Sequence, residues 1–320
     1  MISTNRKEKC LIMCLTPLQM IIARKVIESN PDKDFDLVAI TLIDNIKYRN
    51  YYKKLKKLCK NSLYYISEKG LIGFLHFVKE LKLKEINSDY KCIYLASIDS
   101  RYFQYIISKN NLANIYTFDD GIANIISNDV YYSNDAPVIW KKIIWRFIGI
   151  KYYIKDIRDK SLLHYTIYDD IPNIIEKTQL IKLYENDELI PIIINRIVNI
   201  YVGQPLEEIS DIFTTEYISN ILQKLNIDFY YPHPRENTIP LGDFEIIESD
   251  LIFEDYIIRY LQKNPDIKVR VYSFISSAIL NICSLNRIEV NYIYDKELYY
   301  KYKEFYDIVN SKFNIDLVKI

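Results

Sequence analysis

Short runs rich in β-branched and aromatic residues alternate along the chain with longer segments of helical period, and this alternation constrains the fold more than any single motif. In the first half, CLIMCL (10–15), DLVAITL (36–42), LYYIS (63–67), CIYLAS (92–97) and NIYTF (114–118) read as strands. Between them, PLQMIIARKVIES, NYYKKLKKLCK, GFLHFVKELKL and RYFQYIISKN carry apolar residues three and four apart, as helices covering a sheet do. Thr16 as N-cap and Pro17 at the first helical position supply a start signal for the first of these helices. A second set follows: IVNIYVG (197–203), IDFYYP (227–232), FEIIE (244–248), VRVYSF (269–274) and IEVNYIY (288–294), with helical segments such as DLIFEDYIIRYLQKN between them. The expectation is an α/β chain of two Rossmann-like, parallel-sheet domains in series.

Residues 125–195 alternate less clearly and contain WKKIIWRFIGIKYYIKDIRDK, which reads as connecting and interface material. The expected division is 1–165 for the N-terminal domain, 166–195 for a connecting or dimer segment, and 196–320 for the C-terminal domain. The segment ELYYKYKEFYDIVNSKF (297–313) reads as a closing helix.

A length of 320 residues suits two such domains, and a hydrophobic fraction of 49% provides a core for each. Lys+Arg and Asp+Glu both number 42, so no global charge bias points to nucleic acid as a partner. The five cysteines, Cys10, Cys14, Cys59, Cys92 and Cys283, show no C-x-x-C and no cysteine–histidine ligand spacing, and read as reduced core residues of a cytoplasmic protein. No apolar run of about 18 residues exists, and the N-terminal stretch lacks the features of a signal peptide.

In open parallel sheets ligands bind beyond the carboxyl ends of the strands, so the strand-end loops are the places to search, and two facing domains suggest a cleft. Asp119-Asp120-Gly121 follows NIYTF: two adjacent carboxylates can act as a tuned base, or can form a polar turn with glycine at positive φ. IDFYYP delivers His233, held between Pro232 and Pro234 and followed by Arg235 and Glu236. A restricted backbone holds an imidazole in one orientation, useful for a proton or hydrogen bond to a leaving phosphate; the alternative is a solvent-facing loop histidine. Ser273, Ser276 and Ser277 sit where VRVYSF meets a helical segment, a natural phosphate site or an ordinary N-cap. Gly203-Gln204-Pro205 ends IVNIYV and leads to Glu207, Glu208 and Asp211, which either function at the site or suit a helix dipole.

No G-x-G-x-x-G, Walker-type G-x-x-x-x-G-K, H-E-x-x-H, or strand-end D-x-D with metal-ligand partners is present. A nucleotide donor used without a metal is favoured.

Taken in order, CLTPLQM, FDDG, YPHPRE, and FEDY followed by the Ser-Ser segment resemble bacterial sialyltransferases, and specifically glycosyltransferase family 52, the lipooligosaccharide sialyltransferase family. The matching islands run from about residue 10 to about residue 280. The resemblance implies a GT-B type fold and an inverting, metal-independent transfer of sialic acid from CMP-sialic acid to a terminal galactose of a lipooligosaccharide or capsular glycan. It needs no cofactor. The C-terminal domain would hold the CMP-sugar, and the N-terminal domain the galactoside acceptor.

The resemblance assigns His233-Pro234 to the donor phosphate as hydrogen-bond donor or general acid, Ser276 and Ser277 to the same phosphate, and Glu254 of FEDY to a ribose hydroxyl. Thr16, Gln19, Asp119, Gly121, Gly203, Gln204, Arg235 and Ser273 complete the substrate-binding candidates. For the base it points two ways. Asp120 matches the motif shared widely among bacterial sialyltransferases, whereas family 52 places a base upstream of the His-Pro motif, where Asp211 lies; Asp211 is preferred. The resemblance also implies an intertwined homodimer. The basic-aromatic segment Trp140 to Lys160 would either pack on a domain or rest on an anionic inner-membrane surface. Glucosyl or another nucleotide-sugar-dependent transfer, and a non-catalytic glycan- or nucleotide-binding role, are the competing expectations.

Overall fold

Five consecutive residues of strand β1 (Glu8–Cys14), Cys10 to Cys14, have no exposed surface, because a central parallel strand has helices on both faces. The computed structural model describes residues 7–68, 70–86, 89–134, 137–184 and 193–320. The chain divides into two compact units, Met1–Leu183 and Tyr184–Ile320.

In the first unit β1 is joined by β2 (Lys33–Thr41), β3 (Ser62–Ile66), β4 (Cys92–Leu95), β5 (Asn114–Phe118), β6 (Ser161–Thr166) and β7 (Thr178–Leu180). The helices are α1 (Pro17–Glu28), α2 (Ile46–Lys56), α3 (Gly70–Leu83), α4 (Arg101–Lys109), α5 (Ile139–Ile148) and α6 (Ile154–Lys160). The strands pair in parallel in the order β3-β2-β1-β4-β5-β6-β7. The order reverses between β1 and β4, the point at which a doubly wound sheet opens a crevice. Phe74 and Phe77 of α3 and Phe103 of α4 pack with Leu11, Ile93 and Leu95 to form the core.

The second unit repeats the plan with β8 (Arg196–Val202), β9 (Phe229–Tyr231), β10 (Glu245–Ile246), β11 (Ile267–Ser273), β12 (Ile288–Ile293) and β13 (Leu317–Val318). Its order, β10-β9-β8-β11-β12-β13, is again parallel and reverses between β8 and β11. The helices α7 (Thr215–Lys224), α8 (Phe253–Lys263), α9 (Ser277–Leu280), α10 (Lys296–Lys301) and α11 (Lys303–Phe313) accompany these strands.

Each strand read from the sequence is present. The stretch 125–195 contains more regular structure than its periodicity suggests, namely α5, α6, β6 and β7, while 185–192, within the expected connecting segment, lies outside the described residues. β6 reads SLLHYT, and its polar members go unrecognised as strand residues because they are satisfied inside the sheet: His164 bonds to Thr117 of β5 at 2.8 Å and to Asp119 just beyond it at 2.7 Å. The expected closing helix is two helices, broken at Tyr302, whose φ of −119° and ψ of 36° are not helical. No helix among the described residues is long and apolar enough to cross a membrane.

Candidate active site

The carboxyl end of β1 runs through Leu15 into Thr16, which caps α1 by accepting the Gln19 N–H at 3.3 Å. Gln19 is fully buried, and its side-chain oxygen accepts the Leu15 N–H at 2.6 Å, which fixes the direction of its amide. That amide donates to Ser97 Oγ, at the end of β4, at 2.9 Å and to Asp120 Oδ1, beyond β5. Asp120 Oδ2 accepts from Ser97 Oγ at 3.0 Å and from the Tyr131 hydroxyl. Loops from three strands on both sides of the switch point therefore converge on one carboxylate, which keeps part of its surface open. Desolvation raises the Asp120 pKa; the donors Tyr131, Gln19 and Ser97 pull it back, and Asp99 adds like charge.

Asp119 faces the opposite way and has no exposed surface. It accepts from Thr166 Oγ1 at 2.7 Å, from the Ile167 N–H at 2.6 Å and from Asn173 Nδ2 at 3.1 Å, and it bonds His164 Nε2 at 2.7 Å. The D-D pair is thus divided, one carboxylate tying β5 to β6 and one facing the switch point. Gly121, at φ 79°, makes the turn between them and the next segment.

In the second unit β8 delivers Gly203 and Gln204 beside the end of β11, since Tyr201 pairs with Tyr272. Gln204 Oε1 accepts the Ile275 N–H at 2.8 Å and lies 2.9 Å from Ser273 Oγ. Ser273 is fully buried, and its hydroxyl also lies 2.8 Å from the Val202 carbonyl. Ser276 caps α9 by accepting the Ala278 N–H at 3.3 Å, and Ser277 opens that helix; both are partly exposed. Glu254, in the first turn of α8, is buried and accepts from Asn281 Nδ2 at 2.9 Å.

His233 follows β9 and is half-buried. Its Nδ1 accepts the Arg235 N–H at 3.1 Å, so the neutral ring carries its proton on Nε2 and presents that N–H as a donor. Pro234 and Arg235 are exposed, and Arg235 reaches Glu208 at 3.1 Å. The Asn237 N–H donates to Glu207 at 3.2 Å. Two contacts therefore tie the loop carrying His233 to the loop carrying Asp211, which is itself exposed.

The family model for glycosyltransferase family 52 matches residues 33–297. The chain belongs to that family. A CMP-N-acetylneuraminate:beta-galactoside alpha-2,3-sialyltransferase of Pasteurella multocida is 34% identical over 276 residues, 85% of this chain and 86% of that protein. N-acetyllactosaminide alpha-2,3-sialyltransferases of Haemophilus influenzae and Neisseria meningitidis are 32% and 30% identical, each over 88% of this chain and over 91% and 77% of their own lengths. A crystal structure of a UDP-N-acetylglucosamine 2-epimerase superposes with a TM-score of 0.50 at 9% identity, covering 98% of this chain and 84% of that one, a likeness of fold alone. This family 52 glycosyltransferase has the GT-B type architecture, two Rossmann-like α/β units.

Two residues at these sites escape a reading of the sequence, and the contacts of a third escape it. Ser97 sits at the end of CIYLAS, where the strand-end rule points, but a lone serine there carries no motif. Tyr131 lies 11 residues beyond Asp120 in a stretch without periodicity, and nothing in the sequence signals its contact. Glu236 is visible in YPHPRE, but what it touches is not.

Proposed function

We propose that this glycosyltransferase moves sialic acid from CMP-sialic acid to a terminal galactose of a lipooligosaccharide or capsular glycan, with inversion and without a metal. The observation that carries the reading is His233, whose Nε2–H donor is fixed by the bond to Nδ1 at the carboxyl ends of the second parallel sheet, where a phosphate leaving group would be met. The name of the Pasteurella relative supplies the donor and the galactoside acceptor, and the names of the other two supply sialyl transfer to an N-acetyllactosaminide.

In the proposed step the acceptor hydroxyl oxygen bonds to the anomeric carbon of sialic acid as the bond from that carbon to the CMP phosphate breaks. His233 donates to the departing phosphate, and Ser276 and Ser277 hold the same group. Asp211 takes the acceptor proton. It is exposed, on a loop tied to that of His233. Asp120 already receives three side-chain donors, which suits a carboxylate that shapes the acceptor side with Gln19 and Thr16. Glu254 takes a ribose hydroxyl.

The protein acts as a homodimer at the inner face of the membrane in this reading. None of the α5 side chains is fully buried, and Ile139 and Phe147 are 80% and 88% exposed beside Lys141, Lys142 and Arg146. Such a helix lies on anionic lipid by apolar insertion and charge attraction.

Purified protein mixed with CMP-sialic acid and lactose in EDTA is expected to release CMP and form sialyllactose. No turnover together with no CMP binding would sink the proposal, and thermal stabilisation by UDP but not CMP would replace the donor.

A further inference from the structure

The carboxylate of Glu236 closes the turn that carries His233. Its Oε1 accepts the Tyr230 hydroxyl at 2.7 Å and its Oε2 accepts the His233 N–H at 2.7 Å. The Gln204 backbone N–H donates to the same carboxylate. In the other direction, the Glu236 N–H donates to the His233 carbonyl at 3.1 Å. One side chain therefore clamps the backbone of the histidine and joins the exit of β9 to that of β8.

Gly203 shows how closely this carboxylate approaches β8. A Cβ built there would lie 2.4 Å from Glu236 Oε2, 2.7 Å from Oε1 and 2.7 Å from the Tyr230 hydroxyl, so any larger residue must displace the clamp. The space is occupied by the carboxylate and the Tyr230 hydroxyl, so a side chain at 203 fits only if those groups give up their positions. By contrast, the Arg235–Glu208 pair, which links this loop to that of Asp211, is solvent-exposed and adds little to fixing the His233 backbone itself.

We propose that Glu236 is a positioning residue for group transfer: by accepting the His233 N–H it fixes the backbone that aims the His233 ring, and Gly203 stays small so that the carboxylate can reach it. The proposal rests on the assignment of His233 to the donor phosphate. Burial is the dominant influence on this carboxyl and lifts it to about 7, against the pull of Tyr230, His233 N–H and Gln204 N–H and with Glu207 adding like charge.

The test compares Glu236→Ala, Glu236→Gln, Gly203→Ala and the Gly203→Ala/Glu236→Ala double variant, with CMP-sialic acid and lactose as substrates. Misaiming a reacting group costs on the order of a hundredfold in kcat, and a loss of that size is expected for Glu236→Ala and for Gly203→Ala, with CMP affinity close to that of the wild type. Glu236→Gln, which keeps one acceptor oxygen, is expected to recover part of the loss. The double variant should be no slower than either single variant, because both remove the same clamp. Variants that lose stability while the folded fraction keeps wild-type kcat, or losses that multiply in the double variant, would overturn it. NMR of the His233 imidazole separates the clamp from the transferase reading: even if the wild type shows no sialyl transfer, a changed tautomer signature in Glu236→Ala supports the clamp and an unchanged one refutes it.

Discussion

Gln204 and Ser273, 69 residues apart, meet at 2.9 Å across the switch point of the second sheet, and the same Gln204 oxygen accepts the Ile275 N–H at 2.8 Å. This contact spaces the two strand-end loops that flank the proposed phosphate position. Replacing Gln204 with Ala leaves a backbone N–H and a buried hydroxyl without that acceptor, at a cost of about 1–3 kcal/mol. Urea unfolding should show that loss. Calorimetry should show CMP binding weakened roughly tenfold, the equivalent of about 1.4 kcal/mol.

Asp211 and Asp120 are separable by kinetics. At saturating acceptor, Asp211→Asn should lower kcat by about 10²–10⁴, the range for a lost general base. Asp120→Asn should act mainly through a higher acceptor KM, because its carboxylate is engaged by Gln19, Ser97 and Tyr131. The reverse pattern would transfer the proton-accepting role to Asp120.

Asp119 is expected to matter for folding. Asp119→Ala strips His164, Thr166, Asn173 and the Ile167 N–H of one shared partner in the interior. Leaving a buried polar group without its partner costs about 1–3 kcal/mol, and chemical denaturation of the variant should show a loss of at least that order. A variant as stable as the wild type would contradict the assignment of Asp119 as the tie between β5 and β6.

Glu236 makes stability depend on pH. Its carboxyl is raised from 4.5 to about 7 in the folded protein, chiefly by burial, so between these values the folded state holds a proton that the unfolded chain releases. The stability contributed by this proton is complete below 4.5 and is lost as pH rises through 7. Thermal melts at several pH values should show a falling component over that window in the wild type that is absent in Glu236→Gln.

Much of this protein is legible because β-branched runs and helical periods report burial directly. β1 to β5 and β8 to β12 announce themselves as apolar segments, and their carboxyl ends direct attention to Asp120, Gly203, His233 and the Ser276–Ser277 pair. β6 is obscured because its polar residues are paired inside the sheet. β13 is only two residues long, and the break at Tyr302 leaves the apolar spacing of α10 and α11 nearly continuous.

The sequence alone determined the α/β class, the two-fold repetition of parallel-sheet units and the set of strand-end loops where chemistry belongs. These follow from local pattern, which a linear chain displays. The tertiary structure decided how the carboxylates divide. Asp119 and Asp120 are neighbours in sequence, yet alternation past the end of β5 sends one inward to His164 and the other to Gln19, Ser97 and Tyr131. The closure of Glu236 on His233 is local, three residues apart, but the approach of that carboxylate to Gly203 depends on β8 and β9 lying side by side, a pairing between residues far apart in the chain.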